Sequence, residues 1–372
     1  MKVLLTGATG VMGAAGLREL RKSGLHDITL LVRDSKKNRR FVAPMSDVRV
    51  VWGDLRDYAA VRRAVEGADI ILHVGGMVSP AADWHPELCY KTNTEAMANI
   101  IKAVEEIGGK DRVKVVYIGS VAQYGPHDRP NHWGCASDPQ IPASFDEYAR
   151  SKVDSEKMLV ESGIRNWVSL RQSGILHKGL LGNASDPIAF HVPVEGVLEW
   201  ATVEDSGRLL ERVCRPEVPE SFWGRAYNIS SGPSFRMTNY EFECKILATL
   251  GLGRPEDIFE PYWFATRNFH GMWYRDSDDL ENILRFRSGE TADDWFARLK
   301  RDLPWYMRLA PLAPKPLVKA FMGRIARSTP LSPLRWLKEN DEPRIKASWG
   351  SRTEWERIRR EGWKALDLTR PE

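Results

Sequence analysis

Short apolar runs alternate with helical stretches through the first half of the chain. The apolar runs lie at residues 2–5, 28–33, 48–54, 68–76, 113–120 and 167–175. Strands that alternate with helices at this spacing build βαβ units, in which a parallel sheet carries helices on both faces. Continuous apolar strands fit burial on both sides of such a sheet. The pattern therefore predicts an α/β fold with a doubly wound parallel sheet.

The alternation loosens about halfway along the chain, where Gly and Pro become frequent, as in a long loop. We predict a dinucleotide-binding domain over residues 1–176, with residues 200–232 returning to its sheet. A smaller substrate-binding region follows over residues 177–300. The last part, residues 301–372, is predicted to be a basic helical extension rich in Trp and Arg, interrupted by a Pro-rich linker at 309–317.

The composition is that of an ordinary soluble globule, with 42% hydrophobic and 28% charged residues. No run approaches the roughly 18 apolar residues of a membrane span, and the N-terminal MKVLLTGATG reads as a first strand rather than an export signal. The four cysteines form no CxxC pair, so we expect free thiols, no metal site and a cytoplasmic location.

The charge is uneven along the chain. Residues 301–372 contain 16 Lys and Arg against 9 Asp and Glu, whereas residues 1–300 contain 38 against 41. A basic tail suits nucleic acid or an anionic membrane surface, but a solvated helical appendage is the favoured interpretation. We therefore expect no nucleic-acid partner. A lid over the active site, a membrane-surface contact and an oligomer interface are the alternative roles of the tail.

The stretch TGATGVMG at 6–13 directly follows the first strand and opens the first helix. Its glycines allow a tight turn, bring bare backbone close to a pyrophosphate and pack the helix against the sheet. The helix N-terminus adds unpaired N–H groups and the positive end of its dipole. This context predicts a dinucleotide site, with contacts from Gly7, Thr9, Gly10, Val11, Met12 and Gly13.

The end of the second strand bears on which dinucleotide binds. An acidic residue there holds the ribose hydroxyls of NAD, whereas an arginine accommodates the extra phosphate of NADP. Arg33 stands at this position, followed by Lys36, Lys37, Arg39 and Arg40. We predict NADP(H), with NAD(H) as the alternative because Asp34 is one residue away.

Ordered landmarks over roughly residues 1–250 resemble the extended short-chain dehydrogenase/reductase family, which is NAD-dependent epimerase/dehydratase-like. They are TGATGVMG, Gly53-Asp54-Leu55, His73-Val74-Gly75-Gly76, Asn93, IGSVAQYG at 118–125, Tyr148-Ala-Arg-Ser-Lys152, and the later VEDSGR and AYNISS. The resemblance implies that Ser120, Tyr148 and Lys152 are catalytic. It also implies cofactor contacts from Asp54, Leu55, Val74, Gly75, Gly76, Asn93, Ile118, Tyr148, Lys152, Gln172 and Ile175. Two departures are Gly75-Gly76, where the family often has Ala-Ala, and Gln172, where it commonly has proline.

The chemistry explains why these residue types belong together. A carbonyl that accepts hydride needs a proton donor, and a free tyrosine, with a pKa of about 10, is poorly matched to neutral pH. We expect the Lys152 ammonium to lower the pKa of Tyr148, and Ser120 to hold the carbonyl oxygen. Taken without the other motifs, Tyr148 and Lys152 would suit a pair on the protein surface, and Ser120 would suit a turn at the end of a strand.

The sequence after the strand at 167–175 narrows the range of substrate classes. It reads QSGILHKG and lacks the Asn-Val-Tyr-Gly-Pro pattern typical of nucleotide-sugar enzymes. We predict an NADP-dependent oxidoreductase acting on a carbonyl or secondary alcohol of a moderately apolar small molecule. An NAD-dependent nucleotide-sugar epimerase or dehydratase is the alternative, and a non-catalytic nucleotide-sensing scaffold the second. Candidate substrate contacts are Met77, Trp84, His191 and Trp273, and the helix that contains YARSK could pair two copies as a homodimer.

Overall fold

The computed structural model describes residues 1–371, apart from the side chains of residues 182–185. The strands in chain order are β1 (Lys2–Thr6), β2 (Asp27–Val32), β3 (Val48–Trp52), β4 (Ile70–His73), β5 (Lys114–Ser120), β6 (Trp133–Gly134), β7 (Trp167–Gln172), β8 (Ile175–Leu176), β9 (Val197–Glu199), β10 (Ala201–Thr202), β11 (Arg225–Ile229), β12 (Arg236–Thr238) and β13 (Trp273–Tyr274). Seven of them form one sheet in the order β11-β7-β5-β4-β1-β2-β3, with every pair parallel. This Rossmann-like sheet confirms the predicted α/β class.

The helices surround this sheet and continue beyond it. They are α1 (Val11–Ser23), α2 (Lys36–Val42), α3 (Tyr58–Val65), α4 (Ala81–Trp84), α5 (Pro86–Glu106), α6 (Glu147–Glu161), α7 (Val203–Arg212), α8 (Asn239–Leu250), α9 (Pro255–Ile258), α10 (Ser277–Leu284), α11 (Ala292–Arg301), α12 (Lys315–Ser328), α13 (Pro333–Glu339), α14 (Glu342–Trp349) and α15 (Arg352–Glu361). None of these helices is both long and apolar enough to cross a membrane.

The alternation of side chains along the strands creates two cores, one on each face of the sheet. On β1, Val3 and Leu5 pack with α1, α7 and α10 on one face, whereas Leu4 packs with α3, α5 and α6 on the other. Gly16 lets α7 approach α1 closely, because a Cβ there would lie 2.3 Å from the Leu210 side chain. Helix α6, which contains YARSK, packs beside α5 on the opposite face.

The C-terminal helices pack onto the middle of the chain rather than projecting into solvent. Trp349 Nε1 donates to the Phe264 carbonyl at 2.8 Å, and Trp355 Nε1 donates to the Tyr262 carbonyl at 2.9 Å. The predicted linker at 309–317 is partly helical: a 3-10 helix spans Met307–Leu312 and α12 begins at Lys315. Pro316 is tolerated in the first turn of α12, which needs no backbone N–H partner, whereas Pro311 lies inside the 3-10 helix.

Candidate active site

The glycine-rich turn after β1 is closely packed. Gly7 has φ +71°, and a Cβ there would lie 2.6 Å from the backbone nitrogen of Gly75. A Cβ at Gly13 would lie 2.1 Å from the Gly7 carbonyl oxygen. Helix α1 begins after Gly10, and no side chain of the N-cap residue accepts a hydrogen bond from its first N–H groups. Such a helix start suits a pyrophosphate.

The loop after β4 lies directly against this turn. Thr6 Oγ1 accepts a hydrogen bond from Gly75 N at 3.0 Å and lies 3.0 Å from His73 Nδ1. A Cβ at Gly75 would meet the Leu55 side chain at 2.8 Å, and one at Gly76 would meet the Asn93 side chain at 3.0 Å. The departure from Ala-Ala at this loop therefore has a steric reason, because two neighbouring side chains occupy the space that alanine methyl groups would need.

Asn93 ties the same loop to the catalytic helix. Its Oδ1 accepts from Met77 N at 2.7 Å, and its Nδ2 donates to the Met77 carbonyl at 3.1 Å and to Ser151 Oγ at 2.9 Å. Ser151 Oγ in turn donates to the Tyr148 carbonyl at 2.7 Å. A single buried side chain on α5 thus fixes the position of α6 relative to the loop.

Ser120, Tyr148 and Lys152 come together at the carboxyl end of β5. Ser120 is the last residue of that strand, and its hydroxyl is close enough to the Tyr148 phenol to oppose part of the rise in the phenol's pKa. Lys152 Nζ donates to the Ile118 carbonyl at 2.8 Å and lies 5.9 Å from the centre of the Tyr148 ring. A Cβ at Gly76 would lie 3.8 Å from Lys152 Nζ. The three side chains therefore adjoin the glycine-lined loop.

The pKa of Tyr148 differs from the expectation. Burial raises it well above the usual value of a phenol, and the Ser120 hydroxyl only partly opposes this effect. The charges of Asp146, Cys89 and Asp83 raise it further. The expected lowering by Lys152 is therefore wrong for this structure, because desolvation outweighs the nearby charge. Tyr148 is a protonated phenol at neutral pH.

Burial also lowers the pKa of Lys152. The Lys152 side chain is 5% exposed, and desolvation lowers its pKa from 10.5 to about 8. Most of the population is still charged at neutral pH, and the ammonium loses its proton only in mildly alkaline solution.

A buried polar network connects Ser120 at the end of β5 with helix α6 and strand β7. This network was not identified from the sequence. Gln123 Oε1 accepts from Ser120 N at 2.7 Å, and its Nε2 donates to Glu156 Oε2 at 2.8 Å. Glu156 lies one helical turn beyond Lys152 and forms a buried ion pair with Arg171, with Nη2 and Oε1 2.5 Å apart. The available signal was Arg171 itself, because an arginine inside a buried strand needs a carboxylate partner.

Gln172 has an unusual environment. It lies opposite Ser120 in the register of β7 with β5, and its Nε2 donates to the Ser173 carbonyl at 3.1 Å. Its Oε1 is buried and has no hydrogen-bond partner among residues 1–371. A buried acceptor without a donor is unfavourable, so this atom suits the carboxamide N–H of a nicotinamide ring. The residues present therefore fit a nicotinamide dinucleotide.

The end of β2 presents several free cations. Arg33, Lys36, Lys37 and Arg40 are exposed and make no ion pair within the part of the chain that the structure describes. Asp34 is held by Arg39, whose two nitrogens each lie 2.6 Å from a carboxylate oxygen, and this ion pair lowers the pKa of Asp34. Farther along the same edge, Asp54 Oδ1 accepts from the backbone of Arg56 at 2.9 Å.

The remaining residues predicted to contact the cofactor differ in how far their side chains are exposed. Val11 is 44% exposed at the start of α1, whereas Met12 is 5% exposed, so only its backbone faces the turn. Ile118 is buried and contributes its carbonyl to Lys152, and Ile175 is half-buried in β8. Thr9 and Val74 are half-buried beside the glycines.

The four candidate substrate residues are not brought together. Met77 lies beside the catalytic helix through Asn93, and Trp84 is 41% exposed. His191 Nε2 lies 2.6 Å from the Leu331 carbonyl, and its ring packs against a tryptophan of α13 with the centroids 5.0 Å apart. Trp273 is 2% exposed. His191 and Trp273 therefore have packing environments in the structure.

The neighbours of Trp273 form the wall behind Ser120. Met272 and Tyr274, on either side of it in sequence, pack with Val121 and Tyr124 in one apolar cluster. Val121 and Tyr124 begin and end the short 3-10 helix that directly follows Ser120. Because side chains alternate along an extended segment, the contact next to the site comes from the neighbours of the predicted tryptophan.

The loop ahead of α6 is held by the C-terminal half of the chain. Asp146 caps α6 and lies 3.5 Å from His270 Nδ1. The Asn268 side chain exchanges two hydrogen bonds with the backbone of Ser144, at 2.8 and 3.1 Å. On α14, the Arg344 guanidinium lies 4.9 Å from the ring of Phe145. No motif in the sequence marks these contacts, since they join segments more than a hundred residues apart.

Comparison with known proteins agrees with this architecture. Residues 3–171 match the model of the NAD dependent epimerase/dehydratase family. The 3-diazoavenalumate denitrifying reductase of a Streptomyces species is 34% identical over 131 residues, 34% of this chain and 41% of that protein. The 3 beta-hydroxysteroid dehydrogenase type 7 of Rattus norvegicus is 26% identical over 189 residues, 48% of this chain and 52% of that protein. The chain thus spans about half or less of these relatives.

Solved structures share the fold over a larger part of the chain. The UDP-glucuronic acid 4-epimerase of Bacillus cereus, solved with UDP-glucuronic acid and NAD, superposes with a TM-score of 0.63 at 14% identity, covering 81% of this chain and 98% of that one. The match of residues 3–171 to the model of the NAD dependent epimerase/dehydratase family agrees, over that part of the chain, with the resemblance predicted from the motifs.

Proposed function

We propose that the protein is a nicotinamide-dependent oxidoreductase that interconverts a carbonyl and a secondary alcohol, with Tyr148 as the proton donor and acceptor. One observation carries this proposal: the Gly7 turn lies against Gly75, a Cβ at the adjacent Gly76 would lie 3.8 Å from Lys152 Nζ, and the Ser120 hydroxyl acts on the pKa of the Tyr148 phenol. A nucleotide on the turn would therefore extend toward the acid–base pair.

The bound nicotinamide cofactor supplies or accepts the hydride. The Ala122 amide donates to Ser120 Oγ at 3.2 Å, which leaves the serine proton free to point at a carbonyl oxygen. Ser120 and Tyr148 both donate to that oxygen, and the Tyr148 proton moves onto it as negative charge develops. The Lys152 ammonium stabilises the phenolate that remains. The buried Glu156–Arg171 pair keeps α6 and Ser120 at the correct separation.

The raised pKa of Tyr148 favours one direction at neutral pH. A protonated phenol is ready to donate, so carbonyl reduction needs no prior ionisation. Alcohol oxidation needs the phenolate, whose population grows as the pH rises. We therefore infer that reduction is the faster direction at neutral pH and that oxidation gains with alkalinity.

We further propose NADP(H) as the cofactor. The support is the free cation of Arg33 beside an Asp34 that is already held by Arg39. Arg33→Ser should weaken NADPH binding by at least about tenfold and leave NADH binding within about twofold, because only NADPH has the ribose phosphate. Arg49→Ser, an exposed arginine on the neighbouring strand, is the control. Tighter binding of NADH by the unmodified protein, with no effect of Arg33→Ser, would overturn this cofactor choice.

The proposed substrate is a moderately apolar carbonyl compound. Behind Ser120 the wall is formed by Val121, Tyr124 and Met272, with Leu198 packed against them. The similarity to a rat protein named as a hydroxysteroid dehydrogenase points in the same direction. A nucleotide sugar is the second candidate, because the structural neighbour from Bacillus cereus was solved with UDP-glucuronic acid.

A substrate panel separates these candidates. The full-length protein is mixed with NADPH or NADH and with apolar cyclic ketones, aromatic aldehydes, or UDP- and dTDP-sugars, and nicotinamide absorbance and product formation are followed. Oxidation of NADPH by the apolar carbonyls is the expected result. Conversion of a nucleotide sugar with no net change in absorbance would favour the epimerase alternative, and cofactor binding without any turnover would favour a nucleotide sensor.

A further inference from the structure

Six large hydrophobic side chains are exposed within one short segment of the tail. They are Trp305, Tyr306, Leu309, Leu312, Leu317 and Phe321, here called the 305–321 patch, and their exposure ranges from 50% for Leu309 to 78% for Leu312. The other exposed large hydrophobic residues are scattered singly between residues 11 and 160. Single exposed apolar residues are ordinary, whereas a contiguous group marks an interaction surface.

The backbone brings these side chains together as two neighbouring groups, one on each side of the start of α12. The rings of Trp305 and Tyr306 meet edge to face at 6.1 Å, just before the 3-10 helix of residues 307–312. Leu317 and Phe321 are one turn apart on α12 and therefore share a face. The opposite face of α12 is buried through Met322, Ile325 and Ala326.

Helix α12 is therefore apolar on its outer side as well as on its inner side. A surface helix of a soluble domain normally has a polar outer face, because only one stripe packs on the core. The outer face of α12 departs from this rule where it presents Leu317 and Phe321. The inner contacts already account for the packing of the helix, so its outer side chains are not needed for the fold.

The charge around the patch is predominantly positive. Residues 300–327 contain seven Lys and Arg and a single acidic residue, Asp302, although Lys315 and Lys319 form ion pairs with Asp257 and Glu260. Lys300, Arg301 and Arg324 are exposed and form no ion pair with any residue between 1 and 371. Arg324 lies close to one turn beyond Phe321 and so borders the outer face. Unpaired cations beside apolar side chains are complementary to a surface that is both anionic and apolar.

We propose that the 305–321 patch docks on the surface of an anionic phospholipid bilayer. Trp305 and Tyr306 suit the headgroup level, where aromatic rings with a polar edge concentrate. The leucines and Phe321 enter the boundary with the acyl chains, and the flanking Lys and Arg meet the lipid phosphates. A second copy of the chain fits less well, because a two-fold contact through this patch would bring the unpaired Lys300, Arg301 and Arg324 of one copy against those of the other.

The test is flotation of the full-length protein with vesicles of phosphatidylcholine alone or mixed with phosphatidylglycerol. We expect binding to the anionic vesicles that is at least about tenfold stronger than to the neutral ones and that weakens with added salt. The double variant Leu312→Ser/Leu317→Ser should bind at least about tenfold more weakly. Its matched control is Leu25→Ser/Ile141→Ser, since those residues are 59% and 67% exposed elsewhere on the molecule.

Charge reversal checks the electrostatic part separately. Arg301→Glu/Arg324→Glu should reduce binding to the anionic vesicles by about tenfold or more and leave the weak binding to neutral vesicles unchanged. The proposal is overturned if the unmodified protein floats with neither vesicle, or if Leu312→Ser/Leu317→Ser binds like the control. It is equally overturned if the patch variant only converts a dimer into a monomer in sedimentation, which would make the patch a contact between two copies.

Discussion

The two ends of the chain reach the catalytic helix α6 in different ways. From the N-terminal half, Asn93 and the Ile118 carbonyl bind α6 through short hydrogen bonds that are inaccessible to water. From the C-terminal half, Asn268, His270 and Arg344 contact only the loop ahead of α6, at an exposed edge. The first set positions Tyr148 and Lys152, whereas the second positions the entrance to the site.

This difference separates two kinds of requirement. Proton transfer needs atoms held to a fraction of an ångström, which buried strands and helices provide. Substrate selection uses loops that can change without disturbing the scaffold. Substitutions in the N-terminal half of the chain, at residues of the nucleotide turn or the catalytic site, should therefore abolish catalysis or cofactor binding. Substitutions in the C-terminal half, at residues that contact the loop ahead of α6, should change mainly the substrate KM.

The largest effect is expected in the N-terminal half of the chain, from Lys152→Met. The substitution keeps the length of the side chain and removes the only ammonium beside the phenol among the described residues. We expect kcat to fall by roughly 10³-fold, because the phenolate that forms loses its counter-charge. Lys157→Met on the same helix is the control, since that side chain is 68% exposed. A kcat of Lys152→Met within tenfold of the unmodified protein would contradict the assignment.

A smaller effect is expected at the nucleotide turn, from Gly13→Val. A Cβ at this position would lie 2.1 Å from the Gly7 carbonyl oxygen, so the turn must open. We expect the dissociation constant of the nicotinamide cofactor to rise about a hundredfold, as measured by fluorescence titration. Gly67→Ala serves as the control, because its left-handed backbone (φ +75°) is strained by a side chain that meets no other atom within 4 Å.

That control separates stability from binding. Gly67→Ala should lower the free energy of unfolding by about 1 kcal/mol and leave cofactor affinity unchanged. If both variants lost affinity in proportion to their loss of stability, the turn would have no specific role in nucleotide binding.

The pH dependence gives a third test of the N-terminal half. Lys152, with its pKa lowered to about 8, loses its charge as the pH rises through that value. The kcat/KM for carbonyl reduction should therefore be constant near neutrality and fall about tenfold per pH unit above pH ~8. Lys152→Arg should move this decline to higher pH, because a guanidinium stays charged. A decline that is identical in both proteins would assign it to another group.

The smallest effect is expected in the C-terminal half, from Asn268→Ala. The variant removes both hydrogen bonds to the Ser144 backbone and leaves the buried contacts of α6 intact. We expect the substrate KM to rise about threefold while kcat changes less than about twofold. Asn340→Ala is the matched control, because this asparagine also has a left-handed backbone (φ +57°) but ends α13. Equal effects of the two variants would show that only backbone strain matters.

The nucleotide half could be anticipated from the sequence because its requirements are local. The strands follow the apolar runs, and Gly7 and Gly13 leave space that is occupied by the loop after the adjacent strand β4 and by the turn itself. The start of α5 has a local cause too: the helix begins at Pro86, because proline is favoured in the first turn of a helix.

The remaining features depend on contacts between distant segments. The Glu156–Arg171 pair, the Asn268–Ser144 contact and the packing of His191 against α13 join residues that no short pattern relates. The raised pKa of Tyr148 could not be anticipated either, because desolvation depends on everything that surrounds the phenol. Spacing on a helix predicts which groups are neighbours, but it does not predict how far water is excluded from them.

The central claim, that the Tyr148 phenol exchanges a proton with the substrate beside the bound nicotinamide, is tested most directly by single-turnover hydride transfer in Tyr148→Phe. The variant should bind the cofactor like the unmodified protein and transfer hydride at least about 10³-fold more slowly. Tyr90→Phe, which removes a phenol bonded to Asp154 on the same helix pair, should transfer hydride normally. Hydride transfer at the unmodified rate in Tyr148→Phe would contradict the account.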